Sequence, residues 1–93
     1  MIQTFADKET ERFYRTGKSK KIPASIQKTA LRKLDYLHAA EKVEDLRVPP
    51  GNRLEALERE LAGHYSIRIN RQYRIVFVFD AGHAYDVTVV DYH

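Results

Sequence analysis

Residues 64–79 read HYSIRINRQYRIVFVF, and this stretch decides the fold. Two runs rich in β-branched and aromatic residues, 64–69 and 73–79, flank Asn70-Arg71-Gln72. Such runs favour extended chain, and three intervening residues are enough for a hairpin loop. If Ile69 pairs with Tyr73, partners separate symmetrically from the turn and Arg68 falls opposite Arg74. Side chains alternate across a strand, so Tyr65, Ile67, Ile69, Tyr73, Ile75 and Phe77 share one face. Ser66, Arg68 and Arg74 share the other. The run 73–79 is apolar on both faces, as in a central strand.

Working outward, Asp80-Ala81-Gly82-His83 is a second short loop, followed by a third strand over residues 84–92. Residues 54–57 form a short strand candidate before the hairpin. Pro49, Pro50 and Gly51 argue against a regular element in 43–52. The first 40 residues are helical in pattern after a short strand over 2–5. Asp7 is suited to cap, and Gly17 to stop, a helix over 8–16, with Phe13 and Tyr14 on its buried side. Pro23 suits the first position of a second helix reaching about residue 40. Ile26, Ala30, Leu31, Leu34 and Leu37 recur at helical spacing and make one apolar stripe. Lys28, Arg32 and Lys33 between them read as a solvated face. The expected class is α+β: two N-terminal helices packed on one face of a small, mainly antiparallel twisted sheet.

The length of 93 residues suits one domain, 1–93, with one modest core. Charged residues at 31% beside hydrophobic residues at 43% describe a folding chain rather than a disordered one. There is no cysteine, which removes disulfides, thiolate metal sites and a thiol nucleophile, and suits a reducing cytoplasm. No apolar run approaches the roughly 20 residues of a membrane span, and residues 1–8 lack a secretory core, so a cytoplasmic location is expected. The 16 lysines and arginines exceed 13 acids, a net charge of +3 that favours a polyanionic partner without naming one.

The facing pair Arg68 and Arg74 carries the functional reading. Like charges opposite one another on a sheet cost roughly 0.2–1 kcal/mol, and a phosphate between them would remove that cost. If Phe79 pairs with Ala84, Arg74 lies opposite Val89, and Asp91 and His93 join the arginine face. The plainer reading leaves both arginines solvated or paired with Glu55, Glu58 or Asp91, and Tyr65, Tyr73 and Tyr85 as packing residues. His38, His64 and His83 lie apart near element ends, which argues against a metal cluster.

Several strings in order resemble the HigB-like toxins of the RelE/ParE superfamily over nearly the whole chain. They are Met1-Ile2 with Phe5, Asn52-Arg53-Leu54-Glu55-Ala56-Leu57, Gly63-His64-Tyr65-Ser66-Ile67-Arg68-Ile69-Asn70, Tyr73-Arg74-Ile75-Val76-Phe77, Ala84-Tyr85-Asp86-Val87 and Asp91-Tyr92-His93. The resemblance implies the RelE/ParE-like fold and a toxin of a type II toxin–antitoxin system. It implies a ribosome-dependent messenger-RNA endonuclease that inhibits translation, neutralised by a HigA-like helix-turn-helix antitoxin. Its partners would be that antitoxin, the ribosome and messenger RNA, with no membrane, metal or small-molecule cofactor. The implied catalytic set is Arg74, Asp91, Tyr92 and His93, with Arg68, Ser66 and Arg53 holding RNA. Some members carry a histidine and a lysine where this chain has Glu55 and Glu58, which leaves the general base open and makes Glu55 an alternative. Two rivals remain: a ParE-like, non-nucleolytic inhibitor of DNA gyrase, and a toxin that only binds its antitoxin. Asp91-Tyr92-His93 favours the nuclease, and the acidic residues at 55 and 58 lean toward the gyrase inhibitor.

Overall fold

The computed structural model describes residues 1–92, and the hairpin forms as its sequence dictates. Strand β2 (His64–Arg68) pairs antiparallel with β3 (Tyr73–Asp80), with Tyr65 on Phe77, Ile67 on Ile75 and Arg68 on Arg74. Asn70 shapes the turn: its side-chain oxygen accepts the N–H groups of Gln72 and Tyr73, both at 2.8 Å. Strand β1 (Glu55–Ala56) adds outside β2, and β4 (His83–Asp91) adds outside β3. The antiparallel order is β1-β2-β3-β4, so β3 is an inner strand as expected.

Helix α1 (Lys8–Thr16) has the expected caps. Gly17 is left-handed at φ 76°, and its N–H reaches the Phe13 carbonyl at 2.7 Å. Asp7 accepts from the Thr10 N–H at 2.6 Å and from the Thr10 hydroxyl at 3.0 Å. Its other contact is across the fold, from the Thr88 hydroxyl on β4 at 2.5 Å. Helix α2 (Ala24–Ala39) starts one residue after Pro23, which occupies the cap position instead of the first helical one. Ile26, Ala30, Leu34 and Leu37 are buried and pack with Phe13, Leu46, Ile67, Ile75, Phe77 and Val87. Complete burial of side chains such as Phe77 or Leu34 contributes about 1.5–3 kcal/mol each. No helix among the described residues is long and apolar enough to cross a membrane.

Four expectations are corrected. The N-terminal segment is not a regular strand. It runs along the outer edge of β4 through two isolated parallel bridges, Ile2 to Ala84 and Phe5 to Val87. That edge is thereby covered rather than left as a template for another chain. The stretch 43–52 is not irregular throughout, since Val43–Arg47 and Pro50–Asn52 form 3-10 turns. Buried Asn52 ties the two together, its Nδ2 donating to the carbonyls of Leu46 at 3.1 Å and Val48 at 3.3 Å. Lys33 is not solvated: it is 6% exposed, and its ammonium donates to the carbonyl of Arg68.

The fourth correction moves the third strand. Phe79 does pair with Ala84, and Val78 with Tyr85, but the next partners are Val76 and Thr88. Asp86 and Val87 therefore oppose the single residue Phe77, a β-bulge with Asp86 left-handed at φ 53°. Beyond it Arg74 pairs with Val90, not Val89, and Asp91 pairs with Tyr73.

The Asp7 contacts have a pH signature. Burial pushes this carboxyl up, but hydrogen bonds from Thr88 and from the backbone and side chain of Thr10 outweigh it and hold Asp7 below the ordinary aspartate range. A depressed folded value means stability present above the unfolded value, near pH ~4, and lost as pH falls through the folded value beneath it. Asp7→Ala is expected to lower unfolding stability by about 1–2 kcal/mol at pH 7, the usual worth of such a cap. Urea titrations of both proteins at pH 7 and pH 3 check this. The gap narrows at pH 3 if the carboxylate is its cause, and an equal gap at both pH values rejects that cause.

Candidate functional site

The face of the sheet away from the helices presents Ser66 and Arg68 from β2, and Arg74 and Val76 from β3, beside Thr88 and Val90 from β4. Arg68 and Arg74 sit side by side as the hairpin register requires, and the structure shows how the two cations coexist. Arg68 turns toward the hairpin tip, its Nε donating to the Asn70 carbonyl at 2.9 Å. Arg74 turns the other way, toward β1, and is only 8% exposed.

Arg74 is the hub of this face. Its Nε donates to the Ser66 hydroxyl at 2.8 Å. One terminal nitrogen donates to the Arg53 carbonyl at 2.6 Å and the Ser66 carbonyl at 3.4 Å. The other lies 3.4 Å from a Glu55 carboxylate oxygen. The guanidinium carbon stands 5.7 Å from the centre of the Tyr92 ring, within cation–π range. Each neighbour is placed by a local feature. Arg53 is left-handed at φ 44° where it ends the Pro50–Asn52 turn, and this aims its carbonyl at Arg74. Glu55 is delivered by the pairing of β1, opposite Ser66. Tyr92 reaches the face because the bulge in β4 shifts the register: its backbone N–H donates to the Gln72 carbonyl at 2.5 Å, and its ring remains 44% exposed.

The guanidinium is thus fixed on one edge and loosely held on the other. Its weakest partner is the Glu55 carboxylate, a side chain more than half exposed. The charge around the site is raised from beneath. The Lys33 ammonium is pushed below the ordinary lysine range, first by burial and then by the nearby cations Arg32, Arg68 and Arg74.

Beside the hub runs a shallow groove of about 460 Å³ lined by Leu61, His64, Val76, Thr88, Val90 and Tyr92, with Asp86 and Asp91 at its margin. Its walls are mainly apolar. Among the described residues two buried side-chain atoms have no hydrogen-bond partner, Asn52 Oδ1 and His64 Nδ1. His64 opens β2, two residues before Ser66, and so lies on the arginine face.

The sequence-derived site residues are partly assembled. Arg74, Ser66, Glu55 and Tyr92 come together, whereas Arg68 shares the face but turns its guanidinium away toward Asn70. Ser66 is fully buried and its hydroxyl is committed to Arg74, so it positions the guanidinium and does not face a ligand. Arg53 contributes its backbone carbonyl. Asp91 does not join the Arg74 face, because it pairs with Tyr73 and accepts from Gln72 Nε2 at 3.0 Å. His93 lies outside the described residues. His64 and Lys33 were missed as contributors. Strand alternation from Ser66 could have found His64, whereas nothing in a charged helical position announces a buried Lys33. No group of histidine, cysteine, aspartate and glutamate side chains among the described residues could hold a metal ion.

Comparison with known proteins identifies the family and the fold. Residues 3–93 match the family described as the RelE-like toxin of type II toxin-antitoxin system HigB. Toxin HigB-1 of Vibrio cholerae serotype O1 (strain ATCC 39315 / El Tor Inaba N16961) is 47% identical, covering 100% of this chain and 98% of its own. Among solved structures, the chain superposes on YafQ from E. coli strain BL21(DE3) with a TM-score of 0.59 at 13% identity, covering 98% of this chain and 91% of that one. It superposes on the toxin–antitoxin complex RelBE2 from Mycobacterium tuberculosis with a TM-score of 0.55 at 21% identity, covering 100% and 96%. The YoeB-YefM complex from Staphylococcus aureus gives 0.57 at 20% identity, covering 100% and 98%. These distant structures share the fold, two helices against a four-stranded antiparallel sheet. The family match over residues 3–93 and the full-length match to a HigB toxin make this chain a member of the HigB-like family of RelE-like toxins from type II toxin–antitoxin systems.

Proposed function

We propose that this toxin cuts messenger RNA on the ribosome. The observation that carries the reading is Arg74: a guanidinium 8% exposed, locked by Ser66 and Arg53, whose other edge is held only by the half-exposed Glu55 carboxylate and lies against the exposed Tyr92. A cation held this way needs no reorganisation when negative charge builds on a phosphorane, and such preorganised donors commonly supply the greater part of an enzyme's rate enhancement.

The reaction needs a 2′-hydroxyl aligned for attack on its own phosphate, a proton acceptor, and a proton donor for the departing oxygen. Arg74 would stabilise the phosphorane and Arg68 would hold the backbone nearby. Tyr92 would stack on a base through its exposed ring. His93 would serve proton transfer, since imidazole is the side chain suited to it near neutral pH. Glu55 would act as the counter-charge that the phosphate displaces. Such a reaction calls for no metal or small-molecule cofactor. The ribosome would supply the alignment that so small a surface lacks, which assigns the toxin to the cytoplasm. The solved RelBE2 and YoeB-YefM relatives are toxin–antitoxin complexes. By analogy a small helix-turn-helix antitoxin of the HigA kind would neutralise this chain.

The test is induction of the toxin without an antitoxin, followed by mapping of messenger 5′ ends. New ends inside translated codons, lost when translation initiation is blocked, are the expected result. Intact messages with gyrase-linked DNA breaks reject the nuclease in favour of gyrase inhibition.

A further inference from the structure

The groove beside Arg74 contains a histidine that the roles above leave idle. His64 is the first residue of β2, and strand alternation places it on the same face as Ser66 and Arg68. Its ring lines the groove with Leu61, Val76, Val90 and Tyr92, and Tyr92 is the ring against which the Arg74 guanidinium lies. The groove therefore joins His64 to the aromatic ring that lies against Arg74. His64 Nδ1 is shut off from solvent and has no hydrogen-bond partner, an uncommon arrangement for a buried ring nitrogen. With Nδ1 closed off, Nε2 is the nitrogen left to meet a ligand in the groove.

Two other proton acceptors near this face are engaged. Glu55 lies 3.4 Å from Arg74, and Asp91 accepts from Gln72 and pairs on the opposite face with Tyr73. The titratable groups around the groove besides His64 are Asp86, Asp91 and Tyr92. We infer that His64 is a catalytic residue of the cleavage site, its Nε2 taking the proton from the attacking 2′-hydroxyl. The inference rests on the endonuclease reading above. In the step, the 2′ oxygen forms a bond to phosphorus as its proton passes to Nε2. The bond from phosphorus to the 5′ oxygen breaks, and that oxygen leaves with a proton from the donor of the reaction proposed above. The products are a 2′,3′-cyclic phosphate and a 5′-hydroxyl end, and His64 returns its proton to water.

The experiment is single-turnover cleavage of a messenger on programmed ribosomes by purified toxin, from pH 5 to 9. His64→Gln keeps the size and polarity of the ring but cannot shuttle a proton. It is expected to slow cleavage by about 10²–10⁴-fold, the usual worth of general base catalysis, with the melting curve retained. The acid limb of the wild-type profile, where rate rises with pH, should disappear. His64→Ala should recover part of its rate when imidazole is added to the buffer, which a packing role does not predict. A wild-type rate in His64→Gln overturns the inference, as does a slower rate with the acid limb intact and no response to imidazole. If the glutamine variant does not fold, His64→Asn takes its place, with the same rate and pH profile deciding the outcome. Wild-type toxin that leaves ribosome-bound messages whole removes the endonuclease reading itself and this residue's role with it. Wild-type cleavage indifferent to His64 removes only the latter.

Discussion

Arg74→Lys is expected to slow messenger cleavage by about 10²–10³-fold while the chain stays folded, the loss typical of removing one preorganised charge-stabilising donor. Lysine keeps the charge but not the fork. A guanidinium on this face donates along three directions at once: to Ser66, to the Arg53 carbonyl and toward Glu55. An ammonium on a flexible stem cannot hold Ser66 and Arg53 while offering a second edge to a phosphate, nor lie flat against Tyr92. Arg74→Ala should remove growth inhibition altogether but is the less informative variant. It leaves the buried Ser66 hydroxyl and the Arg53 carbonyl without their donor, a cost of about 1–3 kcal/mol for each group left unsatisfied. Loss of toxicity in the alanine variant therefore mixes chemistry with stability. The lysine variant separates them when cleavage rate and urea midpoint are measured on the same preparation. A lysine variant that cuts at the wild-type rate shows that charge alone suffices and that the fixed geometry has no catalytic part.

The hairpin was legible because its information is local. Apolar alternation on both sides of a three-residue turn admits one register that buries Ile67, Ile75 and Phe77 together, and that register sets Arg68 against Arg74. The caps of α1 were legible for the same reason: an aspartate side chain and a left-handed glycine act within one turn of helix. The last strand was not legible beyond its start. Residues 84–92 read as continuous strand, but Asp86 stands in the middle of an apolar run, and a short polar residue is among the few that tolerate a left-handed backbone. There the chain inserts its extra residue. That single insertion exchanges the faces of the described residues after it, removing Asp91 from the arginine face and presenting Tyr92 in its place. Lys33 was hidden by a different effect. A lysine stem is apolar enough to cross the edge of a core, and what decides its burial is a distant carbonyl, that of Arg68, which no helical pattern encodes.

Removing Tyr92 and His93 is expected to reduce cleavage by about 10²–10⁴-fold if the two residues supply proton transfer and stacking at the site. The fold should survive. Tyr92 is 44% exposed and holds the body of the protein through one backbone bond to Gln72 and its ring contact with Arg74. A cation–π contact with one partner half-exposed is worth about 1–2 kcal/mol at most, so the truncated chain should stay folded with a modestly lower urea midpoint. The loss then divides between two variants. Tyr92→Phe keeps the ring over Arg74 and removes the hydroxyl; a rate near wild type assigns Tyr92 to stacking, and a large drop assigns it to proton donation. His93→Ala leaves Tyr92 and its contact with Arg74 in place, so any fall in rate belongs to the imidazole. A truncated toxin that cuts as fast as the full chain, on the same ribosomes and messages, would confine the chemistry to the sheet, where Arg74 and His64 would carry it without help from the tail.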